Sequence, residues 1–158
     1  MKRICALLLC GALLIPQVSA AAAGSWPAWA EEALNWGREA SISQEFLSEP
    51  EETVTRGMAA QLLYEAAGKP AVSGECPFTD VSGDNADAVT WAAEQGYLTG
   101  VGDGKYEPAR SVTRQEFAAI LWRRAGSPGA AVQGLDQFRD AGAVGEWART
   151  PVLWALQA

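Results

Sequence analysis

An internal repeat limits what this chain can fold into more than any other feature of its sequence. Val54-Thr55-Arg56 runs into Met58-Ala59-Ala60-Gln61-Leu62-Leu63-Tyr64, and Val112-Thr113-Arg114 runs into Phe117-Ala118-Ala119-Ile120-Leu121-Trp122. The two threonines stand 58 positions apart, and both copies continue to an Ala-Gly pair, Ala67-Gly68 and Ala125-Gly126. Phe78-Thr79-Asp80-Val81 and Phe138-Arg139-Asp140-Ala141 form a second recurring element, 60 positions apart. A Trp-bearing segment is the third: Trp29-Ala30 leads to Trp36, Trp147-Ala148 leads to Trp154, and the middle copy keeps Trp91. The unit is therefore roughly 55–60 residues long. It reads Phe-x-Asp, loop, Trp helix, Gly turn, loop, Thr-Arg, second helix. Only the middle unit, about 78–126, holds every part.

Local physics makes the unit helical. Ala88, Val89, Ala92 and Ala93 fall at helical spacing around Trp91, and Gly96 ends that helix. Gly102-Asp103-Gly104 predicts a tight turn, and Pro108 keeps its loop out of helix. Thr113 and Glu116 form a capping box, after which Phe117, Ile120, Leu121 and Arg124 follow a helical stripe. In the first unit Met58 replaces the box glutamate, and the loop from Ser43 to Glu52 is acidic and has no Gly-Asp-Gly. Ser127-Pro128-Gly129 to Gly134 reads as a linker.

The start of the chain has the pattern of an export signal. Lys2 and Arg3 precede an apolar run from Ile4 to Ile15, Pro16 breaks the run, and Val18-Ser19-Ala20 is small where a signal peptidase reads. The run is shorter than the ~20 residues a membrane span requires. A retained N-terminal anchor is the alternative; a lipoprotein is not, since Leu9 rather than a small residue precedes Cys10. A signal peptide over 1–23 leaves about 135 residues, enough for a domain or a few repeats. It also leaves Cys76 as the one cysteine, a small residue before Pro77, with an intermolecular disulfide as the alternative.

Charge and composition exclude whole classes of function. The chain has 12 Lys and Arg against 19 Asp and Glu, and loss of Lys2 and Arg3 takes its net charge from −7 to −9. Nucleic acid and anionic lipid bind through basic patches, so neither is an expected partner. An anionic ligand would have to be held by a few placed arginines. With no histidine, Ser-His-Asp and Cys-His catalysis and histidine metal sites are excluded. No pair of carboxylates stands out as a glycosidase pair, and no enzyme activity, metal or cofactor is expected.

In these motifs the chain resembles the S-layer homology family. The resemblance rests on Phe78, Asp80, Trp91, Gly96, Gly100, the run Gly102-Asp103-Gly104-Lys105-Tyr106-Glu107-Pro108, and Thr113-Arg114-Gln115-Glu116-Phe117. It implies a mainly α fold in which helix-loop-helix repeats pack as a pseudo-threefold bundle. The boundaries would be 24–70 for a partial first repeat, 71–129 for a complete second and 130–158 for a truncated third. It further implies non-covalent anchoring of an exported protein at the cell wall or S-layer. The partner would be a pyruvylated secondary cell-wall polysaccharide attached to peptidoglycan. The alternative is an assembly module that contacts S-layer or other envelope proteins.

By that resemblance Arg114 and Arg56 are the ligand arginines, with Thr113 and Glu116 in the same motif. Asp80, Trp91, Gly102, Asp103 and Gly104 would line the groove. A guanidinium at a helix N-terminus can hold a carboxylate bidentately, whereas a solvated arginine after a cap is the plain alternative. Trp91 could stack on a sugar or pack in the core. Trp29, Trp36, Trp154 and Trp122 are expected in the core. Asp80 and Asp140 could equally be turn formers. The Gly-Asp-Gly loop is a poor calcium site, with only Asp103 and Glu107 near it.

Overall fold

The computed structural model describes residues 26–48, 52–130 and 134–157, so the expected signal peptide lies outside the described residues. Among the described residues six α-helices carry the fold: α1 (Glu31–Glu39), α2 (Gln44–Ser48), α3 (Arg56–Ala66), α4 (Ala86–Glu94), α5 (Arg114–Arg124) and α6 (Arg149–Gln157). Among the described residues there is no strand, only isolated bridges between Thr55 and Ser111 and between Gly102 and Lys105. The mainly α expectation holds. The three Trp-bearing helices α1, α4 and α6 each follow directly on a 3-10 turn (Ala28–Ala30, Gly83–Asn85 and Glu146–Ala148).

Capping fixes where the Thr-Arg helices start. Thr113 Oγ1 accepts from the Glu116 amide, and the Glu116 carboxylate accepts from the Thr113 amide at 2.8 Å, closing the box. In α3 half of this device survives without the glutamate, because Thr55 Oγ1 accepts from the Met58 amide at 3.2 Å. The α4 turn ends at Gly96, whose φ of +69° is one that a side chain would strain.

The helices pair across the sequence units. α3 of the first unit packs on α4 of the second, and α5 of the second packs on α6 of the third. Leu63, Val89, Leu98, Phe117, Ile120 and Leu121 make the main core, with Tyr106 fully buried among them. Trp91 belongs to this core too. Val54, Cys76 and Trp154 pack on it half-buried. A smaller core under α1 and α2 joins Ala30, Leu34, Ile42 and Leu47, with Trp36 against it; Leu62 touches both cores.

A buried carboxylate that the sequence does not flag ties the two cores together. Glu65 accepts from the Ser43 amide at 2.8 Å and from the Ser43 hydroxyl at 2.6 Å, and Lys69 pairs with it at 3.2 Å. Burial pushes its pKa up, but the hydrogen bonds from Ser43 and Gln61 outweigh that and hold it below the ordinary value.

Candidate ligand groove

The glycine loop of the middle unit is held from below by Phe-x-Asp. Asp80 accepts from two successive amides, Tyr106 on Oδ1 and Glu107 on Oδ2, each at 2.8 Å. Those amides, the Tyr106 one first, keep its carboxyl below the usual range. Phe78 tilts against Tyr106 at 5.2 Å and lies under Gly100. A Cβ on Gly100 would stand 2.6 Å from Phe78 Cε1 and 2.8 Å from the Lys105 carbonyl oxygen, so only glycine fits. Gly102, Asp103 and Gly104 then turn the chain with φ of +115°, +51° and +66°, and Val101 and Lys105 close the turn by backbone bonds. All three turn residues are exposed.

Arg56 inserts into this loop from the preceding unit. Its Nε donates to the Tyr106 carbonyl at 2.7 Å and its Nη2 to the Thr99 carbonyl at 2.6 Å. The guanidinium lies 4.5 Å over the Tyr106 ring, and the Tyr106 hydroxyl donates back to the Arg56 carbonyl at 2.9 Å. Burial lowers the Arg56 pKa and raises that of Tyr106 to about 12, the latter partly offset by the Arg56 charge. Arg56 is therefore a structural bolt between two units as well as a wall of the space beside it.

That space is a groove of about 180 Å³ where three units meet. Arg56 comes from the first unit; Thr99, Val101, Arg110, Glu116 and Arg123 come from the second; Trp147 comes from the third. The Trp147 indole is 56% exposed and Val101 is 45% exposed, so an aromatic and an aliphatic surface both face solvent here. Arg110 is braced by Glu107 at 3.0 Å and Glu116 at 2.6 Å, and Arg123 donates to the Tyr97 carbonyl at 3.3 Å. Burial raises the Glu116 pKa, but hydrogen bonds from Arg110 and Thr113 dominate and bring it to about 2. Its charge is thus fixed, and it orients Arg110.

The groove gathers some of the expected residues and not others. Arg56 and Glu116 line it. Asp80, Gly102, Asp103 and Gly104 build the loop beside it. Trp91 is 7% exposed, packed against Tyr64 and Tyr97, and presents no face to a ligand: of its two readings, the core one fits. Arg114 and Thr113 line a different groove on the opposite face of α5. Trp29, expected in the core, is instead 58% exposed. Arg110, Arg123 and Trp147 also line the groove with Arg56 and Glu116 and are not among the expected site residues, although Trp147 belongs to the recurring Trp segment. The available signal is helical spacing: Glu116, Ala119, Ile120 and Arg123 share one face of α5.

Comparison with known proteins agrees with the resemblance. Residues 77–118 match the family model described as S-layer homology domain. Cell surface glycoprotein 1 of Acetivibrio thermocellus is 31% identical over 77 residues, which is 46% of this chain and 3% of that protein. No solved structure matches. Residues 77–118, the part that is similar to an S-layer homology domain, thus include the glycine loop and the Thr-Arg-x-Glu motif that wall the groove, and the chain spans only a small part of the length of the relative it matches.

Proposed function

We propose that the chain is a cell-surface anchoring module whose groove between α5, the glycine loop and Trp147 binds an acidic cell-wall polysaccharide, with a pyruvylated sugar as the matching residue. One observation carries this reading: three arginines, Arg56, Arg110 and Arg123, line one groove with an exposed indole, in a space of about 180 Å³ that matches a single monosaccharide. A ketal carboxylate needs charged donors; Arg123, bound to the Tyr97 carbonyl through one nitrogen, offers them, while Arg110 beside it stays paired with Glu107 and Glu116. A pyranose ring offers a C–H face, which the Trp147 indole matches. In a chain of net charge −7 this is where a carboxylate would be tolerated. The wall of a bacterial cell is where an exported module of this kind would act, and similarity to a cell surface glycoprotein fits that setting.

The same geometry favours binding over catalysis. Glu116, at about 2, stays ionised and salt-bridged, so it has no proton to give as a general acid. No segment among the described residues is a helix long and apolar enough to cross a membrane.

The test is sedimentation with purified cell-wall sacculi. Trp147→Ala and Arg123→Ala should each weaken binding about tenfold or more, a loss of about 1.4 kcal/mol. Trp29→Ala, at an equally exposed indole outside the groove, should bind as the parent does. Undiminished binding by both groove variants would remove the groove from the account.

A further inference from the structure

We infer that Gly145 and Gln115 are positioning residues for the groove: together they set the Trp147 indole as its aromatic wall. The inference rests on the reading of that groove as the binding site. The argument starts at the backbone. Trp147 sits in the 3-10 turn Glu146–Ala148. The Gly145 amide, at the head of that turn, donates to Gln115 Oε1 at 2.9 Å. At the other end Ala148 is fully buried, and its amide donates back to the Gly145 carbonyl at 2.8 Å. The turn is thus pinned at both ends, while the Trp147 side chain between them is 56% exposed.

Gly145 itself steers the indole. Its φ of −59° and ψ of 144° are open to any residue, so the backbone does not call for glycine there. The space does. A Cβ on Gly145 would stand 2.7 Å from Trp147 Nε1 and 3.1 Å from Trp147 Cδ1. The indole therefore folds back over its own turn, with its pyrrole side in the place that a side chain at 145 would fill. An exposed indole can change rotamer, so an added methyl group is relieved by swinging the ring away rather than by distorting the turn. Such a change takes the aromatic wall out of the groove and leaves the fold in place.

The first unit supplies the contrast. Trp29 holds the same place before α1, is as exposed at 58%, and lies outside the groove. Two residues before it, where the third unit has Gly145, stands Pro27. Pro27 heads an equivalent 3-10 turn, with the Ala30 amide donating to its carbonyl at 2.9 Å. Proline has no N–H to donate and carries a ring on its backbone. It can supply neither the amide that Gln115 holds nor the empty space that the indole fills. Gln115 is likewise particular to α5, since its twin in α3 is Gly57, which has no side chain. Successive residues of α5 thus prepare two different groups: Glu116 braces Arg110 at 2.6 Å, and Gln115 holds the turn that carries the indole.

Two readouts on the purified chain test this. The first is NMR and involves no polysaccharide. NOEs from the Trp147 indole N–H to residue 145 are expected in the parent. They should be lost in Gly145→Ala and Gln115→Ala, and kept in Gln115→Glu, whose carboxylate still accepts from the Gly145 amide. The second is sedimentation with cell-wall sacculi. Gly145→Ala and Gln115→Ala should each weaken binding about tenfold, as Trp147→Ala does, and Gln115→Glu should restore it. In a Trp147→Ala background, Gly145→Ala should add no further loss, because the two changes act on one indole. Circular dichroism of every variant should match the parent. An indole that keeps its place in Gly145→Ala, an indole that moves with binding unchanged, or a Gly145→Ala loss that persists in full on top of Trp147→Ala would each overturn the inference. A parent that leaves sacculi unbound would count against the polysaccharide reading, and the NOEs would then decide the positioning on their own.

Discussion

Two arginines in the same tripeptide, Val-Thr-Arg, meet opposite fates here. Arg56 is 6% exposed and bolted to two carbonyls, whereas Arg114 stands in solvent. Arg56→Met should therefore cost ~2–3 kcal/mol in urea unfolding, because it orphans the buried Tyr106 carbonyl and strips a charge-assisted bond from Thr99. Arg114→Ala should stay within ~0.5 kcal/mol of the parent. Sequence spacing shows that the two arginines are equivalent, but it cannot show which of them has a loop to engage, since the loop belongs to the following unit. Glu116 gives a pH signature. Its folded pKa of about 2 lies below the ordinary 4.5, so the stability it contributes is complete above pH 4.5 and is lost as pH falls toward 2. Thermal melts of Glu116→Gln should start lower at neutral pH and fall less steeply across that window. A mutant as pH-sensitive as the parent would contradict the Arg110 and capping-box assignment.

Helices were legible and their partners were not. The capping box, the end at Gly96 and the stripe from Phe117 to Leu121 all follow from local rules, and the structure has them. Phe-x-Asp reads in the sequence as an opening signature, yet its work is done on the glycine loop some 25 residues on, which local patterning does not reveal. Likewise Trp29 and Trp36 share a spacing that suggests one buried face, but the 3-10 turn before α1 puts Trp29 outside while Trp36 packs inward. Gly100 makes the loop's rigidity testable. Gly100→Ala forces its Cβ into Phe78 and the Lys105 carbonyl, and should cost ~1–3 kcal/mol in the melting free energy. A neutral result would mean that the loop is not clamped as described.

At the scale of the whole molecule, the units are joined by helices that pack across their borders. One sequence unit is thus not one structural piece: α3 needs α4, and α5 needs α6. This explains why the groove beside Trp147 draws on all three units and why motif matching within a single unit marks only part of it. The exposed indole of Trp147 and the arginines that line one groove with it are what the proposed binding role rests on. The direct test is sedimentation of the purified chain with peptidoglycan sacculi, before and after mild acid removes the secondary polysaccharide. Binding to intact sacculi that vanishes with the polysaccharide is the predicted result. Equal binding to stripped sacculi, or none to intact ones, would contradict polysaccharide anchoring.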